Sequence, residues 1–205
     1  MPDARMNRKV KRICVYCGSG SGEDTVFVTA ARTLGRALAT SGIGLVFGGG
    51  SIGLMGEVAQ ATLQTGGHVT GVIPEFLKQR ELALDGISEL IVTSSMHERK
   101  QLMFEKSDAF VALPGGVGTL EELVEQLTWA QLGQHSKPIV LLNINDFWQP
   151  LLTLFDHMRA ENFIRAGLQV APAVVASAEE IVPVILDLAA DREKAVSESS
   201  IPAKF

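Results

Sequence analysis

Three short stretches of this sequence consist almost entirely of glycine and small residues: Cys17-Gly18-Ser19-Gly20-Ser21-Gly22, Gly48-Gly49-Gly50-Ser51-Ile52-Gly53 and Pro114-Gly115-Gly116-Val117-Gly118-Thr119. Glycine lets a backbone approach a ligand closely, and a helix that begins in such a loop presents N–H groups without intrahelical partners. Together these make an anion site, suited above all to phosphate. One loop of this kind is no more than a tight turn. Three of them favour a nucleotide or sugar-phosphate site, with Gly18, Ser19, Gly49, Gly50, Gly115, Gly116, Val117, Gly118 and Thr119 as candidate ligand-facing positions.

Charged residues stand beside these loops. Glu122 follows Thr119 at the spacing of a capping box, in which Thr caps a helix and Glu bonds back to the Thr amide. That structural role would account for both residues, and a first-turn carboxylate suits the helix dipole. The same carboxylate repels phosphate unless it faces another part of the ligand. A glycosidic carbon, which becomes positive as its C–N bond breaks, is such a part. Ser95-Met96-His97-Glu98-Arg99-Lys100 opens a second helix. Arginine keeps its proton near neutral pH, so Arg99 would orient and stabilise charge rather than serve as a general acid. In the bland alternative Arg99 and Lys100 form a solvated face, and His97 is a cap or surface residue.

The elements that must position these residues alternate short apolar runs with longer amphipathic ones, the pattern of a parallel sheet covered by helices. Strands are expected at 12–17, 44–47, 68–72, 89–92, 109–113, 138–142 and 173–176, with helices near 24–40, 54–65, 95–106, 119–132, 146–160 and 178–190. Runs such as Ile139-Val140-Leu141-Leu142 are apolar throughout, as strands buried on both faces are. The expected fold is therefore α/β, a doubly wound, mostly parallel sheet with helices on both faces. Ligands of such sheets bind beyond the carboxyl ends of the strands, where all three glycine loops fall.

The 205 residues suffice for one domain with a sizeable core, and residues 1–10 and 191–205 read as polar tails. A net charge of −5 argues against a nucleic-acid partner, because affinity for the phosphate backbone comes from clustered Lys and Arg. No apolar run is long enough to span a membrane, and no apolar segment follows the basic N-terminus as in a signal peptide. The expected compartment is the cytoplasm. Cys14 and Cys17, three apart on a strand, point to opposite faces and cannot share a metal or a disulfide without distortion. No G-x-x-x-x-G-K-[ST] loop occurs, which disfavours a P-loop NTPase. Gly48-x-Gly50-x-x-Gly53 matches a dinucleotide fingerprint, but the end of the next strand, Val72-Ile73-Pro74, lacks the acidic residue that would hold a ribose.

Pro114-Gly115-Gly116-Val117-Gly118-Thr119-Leu120-Glu121-Glu122 resembles the PGGxGTxxE signature of the LONELY GUY family, the cytokinin riboside 5′-monophosphate phosphoribohydrolases. Val15-Tyr16-Cys17-Gly18-Ser19, Val46-Phe47-Gly48-Gly49-Gly50, Met96-His97-Glu98-Arg99-Lys100 and Thr128-Trp129-Ala130-Gln131-Leu132-Gly133 extend the likeness in the same order. The resemblance implies a Rossmann-like homodimer without cofactor or metal. It implies hydrolysis of N6-modified adenosine 5′-monophosphates, and often of AMP, to free base and ribose 5-phosphate. It implies catalytic roles for Arg99 and Glu122, and ligand contacts at Glu81, Lys100, Gly116 to Thr119 and Thr128. The alternatives are a non-catalytic nucleotide or cofactor carrier, a dinucleotide-linked oxidoreductase and the pyridoxal-dependent decarboxylase that an older family label suggests. The last needs a Schiff-base lysine, and Lys100 is the one lysine expected at the site edge.

Overall fold

A computed structural model describes residues 10–78, 84–164 and 171–199. The strands are β1 Arg12–Tyr16, β2 Gly44–Phe47, β3 Val69–Pro74, β4 Glu89–Thr93, β5 Ala109–Ala112, β6 Ile139–Leu142 and β7 Ala173–Val175. The helices are α1 Thr25–Thr40, α2 Gly53–Gln64, α3 Glu75–Lys78, α4 Met96–Glu105, α5 Val117–Gln131, α6 Gln149–Ala160 and α7 Ile181–Ser199. All strands pair in parallel in one seven-stranded sheet of order β4-β3-β2-β1-β5-β6-β7. The chain first steps from β1 outward to β4, then returns to β5 on the other side of β1. β1 and β5 therefore flank the switch point, where a doubly wound sheet opens a crevice.

Alternation along the strands splits the core in two. Ile13, Val15, Leu45, Phe47, Val111 and Leu142 pack beneath α1, α2 and α7. Cys14, Tyr16, Val46, Val72, Phe110 and Leu141 face the other way, against Met103 of α4, Leu123 and Leu127 of α5, and the start of α6. The helices that carry the chain from β1 to β3 lie on one face, and those between β4 and β7 on the other, as right-handed crossovers require.

The elements match the sequence reading apart from their ends. β3 runs on to Pro74, and the short α3 directly after it was not expected. α5 begins at Val117 rather than at Thr119, with consequences for the site described below. Residues 191–199, read as a polar tail, continue α7 instead. Ala189-Ala190-Asp191-Arg192-Glu193-Lys194-Ala195 is rich in good helix formers, so polarity there extends a helix rather than ending it.

Both cysteines are free and buried, Cys14 in the core beneath α4 and α5 and Cys17 in the core beneath α1 and α2. Burial pushes both thiols well above their usual range, and the neighbouring Glu122 carboxylate adds to the shift. A thiolate is the reactive species, so both should resist a disulfide reagent at pH 8 in the native protein and react only on unfolding. Rapid native labelling of either would contradict this burial.

Candidate active site

Arg99 is the most unusual residue of the carboxyl edge. It is a cation only 5% exposed, placed in the first turn of α4. A serine cap and a back-bonding glutamate, a variant of the capping box, fix that turn. The Ser95 hydroxyl accepts from the Glu98 N–H (3.2 Å), while the Glu98 carboxylate accepts from the N–H (2.8 Å) and hydroxyl (2.7 Å) of Ser94. These bonds hold the Glu98 carboxyl below its usual range. The guanidinium spans from β3 to the residue that follows β2. Nε donates to the Val72 carbonyl at 3.1 Å, and Nη2 to the Gly48 carbonyl at 3.2 Å. Nη1 stands 3.9 Å from Oε1 of Glu122, whose side chain is 12% exposed.

Glu122 reaches Arg99 because of where α5 begins. The sequence pattern suggests Thr119 as the cap, with Glu122 bonding back to it; the structure overturns this. Gly116 is the N-cap, extended at φ −88 and ψ −159, and no side chain caps the helix. Thr119 lies inside the first turn, 4% exposed, with its hydroxyl packed on Gly115. Glu122 is thereby moved to the second turn, too far along to cap. Gly116, Val117 and Gly118 are exposed. No carbonyl outside the helix accepts from the amides of Val117, Gly118 or Thr119 among the described residues. The start of α5 keeps the donors and the dipole that an anion needs.

The second glycine loop behaves differently. Two amides of the first turn of α2, those of Leu54 and Met55, donate to the carbonyls of Gly20 and Gly18, each at 3.4 Å. Gly49 and Gly50 are buried, and the Gly49 carbonyl accepts from the Leu84 N–H at 3.0 Å. This loop matches the dinucleotide fingerprint in sequence but leaves no open cradle at its helix. Gly18 is buried and donates to the Pro114 carbonyl at 3.1 Å, joining the first and third loops, while Ser19 is exposed. A cleft of about 300 Å³ opens between Gly18–Gly22 and Pro114–Gly116, walled by Phe27, Leu54 and Phe147. The Phe27 and Phe147 rings meet edge to face at 5.8 Å. No sequence pattern links these two residues. Phe27 and Leu54 belong to the α1 and α2 layer, whereas Arg99 and Glu122 come from the α4 and α5 layer on the other face.

Lys100, expected at the ligand, is engaged elsewhere. Its ammonium bonds Glu121 at 2.5 Å and Glu125 at 3.0 Å. Partial burial pulls its pKa down, but the two carboxylates outweigh that and leave it raised. His97 is exposed. Thr128 is exposed on α5, and its hydroxyl donates to the Val124 carbonyl at 2.7 Å. It lies about 16 Å along the helix axis from Val117, at ~1.5 Å per residue, so it does not join the phosphate loop of its own chain. Glu81 lies outside the described residues. Among those residues no cluster of His, Cys, Asp or Glu could hold a metal ion, and no helix is long and apolar enough to cross a membrane.

The family model described as "Possible lysine decarboxylase" matches residues 55–185. A rice protein named "Probable cytokinin riboside 5'-monophosphate phosphoribohydrolase LOGL1" is 54% identical over 155 residues, covering 76% of this chain and 70% of its own length. The cytokinin riboside 5′-monophosphate phosphoribohydrolase LOG1 of Arabidopsis thaliana is 46% identical over 192 residues, 94% of this chain and 90% of its own length. The chain belongs to this family. Its fold is Rossmann-like and is shared with the Moco carrier protein of Chlamydomonas reinhardtii (TM-score 0.65, 26% identity, 89% of this chain and 99% of that one). The decarboxylase in the family's description does not fit the site. A Schiff-base lysine must shed its proton to attack, and Lys100 is held protonated between two carboxylates.

With the cap excluded, Glu122 has a structural role that can be measured. Glu122→Gln should cost about 1–3 kcal/mol by weakening the compensation of a buried guanidinium. In an Arg99→Gln background the same substitution should cost much less. Denaturant unfolding of the four proteins of this cycle gives the coupling, and equal costs in both backgrounds would show that the two side chains do not interact.

Proposed function

We propose that the protein hydrolyses the N-glycosidic bond of adenosine 5′-monophosphates, N6-modified ones included, releasing free base and ribose 5-phosphate. The observation that carries this reading is the buried Arg99–Glu122 pair beside the uncapped start of α5. The amides of Val117, Gly118 and Thr119, with Gly115 and Gly116 leading in, hold the 5′-phosphate. Glu122, one turn further along, places a negative charge near the ribose, where it stabilises an oxocarbenium-like transition state and orients the attacking water. Arg99, fixed by strand-end carbonyls, positions the substrate and eases departure of the purine. No step needs a metal or an organic cofactor. A carrier of the Moco-binding kind would use the loops, but it has no need of the ion pair.

The second element of the proposal is a homodimer. Val117, Val124 and Leu132 are 82%, 39% and 68% exposed along one stripe of α5, and exposed Thr128 lies on the same helix. Apolar surface at this spacing suits a helix packed on a second copy. A two-fold contact would also bring Thr128 to the partner's ligand, reconciling its expected contact with its distance from the loop of its own chain. The partners are thus a nucleoside 5′-monophosphate and a second chain, with neither nucleic acid nor membrane involved. Two cysteines kept as free thiols fit a reducing compartment, and we take the enzyme to be cytoplasmic.

Purified protein without added metal, NAD or pyridoxal phosphate should release base from AMP or isopentenyladenosine monophosphate, followed by chromatography. The matching nucleoside, lacking the phosphate anchor, should lose at least about a hundredfold in kcat/KM, or ~2.7 kcal/mol of transition-state binding. Equal rates on AMP and adenosine would reduce the glycine loops to ordinary turns. Light scattering should give about twice the chain mass, and a monomer at micromolar concentration would remove the dimer from the proposal.

A further inference from the structure

The β2–α2 loop contains a glycine whose role neither a phosphate site nor a tight turn explains. Gly48 closes β2 without a left-handed backbone, so its conformation does not demand glycine. What it lacks is room. A Cβ there would fall on Nη2 of Arg99, and it would also lie 3.4 Å from Cζ of Arg99 and 3.1 Å from the Met55 sulfur. The Gly48 carbonyl is the acceptor for that same Nη2 at 3.2 Å, and the Val72 carbonyl takes Nε at 3.1 Å. One acceptor lies in β3 and the other directly after its neighbour β2.

We propose that Gly48 is a positioning residue, and that with the Val72 carbonyl it forms a preformed guanidinium seat at the carboxyl edge of β2 and β3. The seat fixes the plane of the Arg99 fork and turns Nη1 towards Glu122. The inference rests on the catalytic role proposed above for Arg99. The seat itself exists whether or not that role is correct. Its acceptors are main-chain atoms of a buried sheet, so they hold their places when the arginine side chain is removed. A single point charge such as an ammonium cannot use both acceptors at the angle that the planar fork does.

The test combines chemical rescue with thermal unfolding. Arg99→Ala should lose at least about a hundredfold in base release from AMP. Guanidinium chloride at about 50 mM, far below the molar range that unfolds proteins, should restore at least about tenfold of this with saturation, whereas methylammonium should not. Adding Gly48→Ala to Arg99→Ala should abolish the rescue, because the new Cβ fills the seat. Gly48→Ala alone should lower kcat by at least about tenfold with KM little changed, and Met55→Ala should not recover it. Rescue of Gly48→Ala/Arg99→Ala as strong as that of Arg99→Ala would overturn the proposal, as would recovery through Met55→Ala. Thermal unfolding reads the seat without any activity. Gly48→Ala should lower Tm in the wild-type background and leave it unchanged or raised in Arg99→Ala, while an equal fall in both would refute the seat. A wild type that cleaves no monophosphate but shows this thermal cycle would retire the proposed reaction and keep the seat.

Discussion

A guanidinium buried at the edge of a parallel sheet loses its hydration, and that loss costs several kcal/mol unless acceptors and a counter-charge replace the water. In this chain the acceptors are the Val72 and Gly48 carbonyls, and the counter-charge is Glu122. Each makes demands on a different element. The residue directly after β2 must lack a side chain, and β3 must lie in register beside β2. The capping box of α4 must start that helix where Arg99 turns inward, and α5 must start early enough for Glu122 to fall on its second turn. The active edge is thus a set of main-chain positions adjusted around one side chain.

The glycine loops divide according to what their backbone groups already bind. The amides that open α2 face carbonyls of the first loop, so that loop and helix pack on each other rather than on a ligand. Among the described residues the start of α5 has no such partner and no side-chain cap, although it lies next to the same crevice. Phosphate affinity at a helix start depends on unsatisfied N–H groups and not on glycine count. A sequence with three glycine-rich strand-to-helix loops therefore need contain only one good anion site.

Much of this was legible in the residues. Solidly apolar runs such as that of β6 reveal buried parallel strands, and alternation within β1 puts Cys14 and Cys17 in different cores, as their spacing requires. The carboxyl-edge rule places all three loops correctly. What sequence reasoning misplaced is the capping box. Both Ser95-x-x-Glu98 and Thr119-x-x-Glu122 have the pattern; only the first serves as a cap, and there Glu98 reaches back to Ser94 rather than to Ser95. α5 starts at Val117 with an extended Gly116 as its N-cap, which places Thr119 inside the helix against Gly115. The contacts that define the site were beyond local reading. Arg99 meets residues from two distant strands, and Lys100 is taken by Glu121 and Glu125 on another helix.

The charges near Arg99 are arranged to stay put rather than to move protons. Arginine keeps its proton near neutral pH, and Lys100 is stabilised as a cation by its two carboxylates. Burial pushes the Tyr16 hydroxyl well above its usual range, with the nearby Cys14 and Glu122 adding to the shift, so it is a poor proton donor too. Lys100 and Tyr16 are thus poorly suited to move protons at neutral pH. Under the mechanism proposed above, hydrolysis would draw its rate from electrostatic preorganisation around a ribose that turns positive. A reaction through an oxocarbenium-like state tolerates that arrangement, because its barrier lies in separating charge at the glycosidic carbon. A decarboxylation through an imine, which needs a neutral amine at the start, does not.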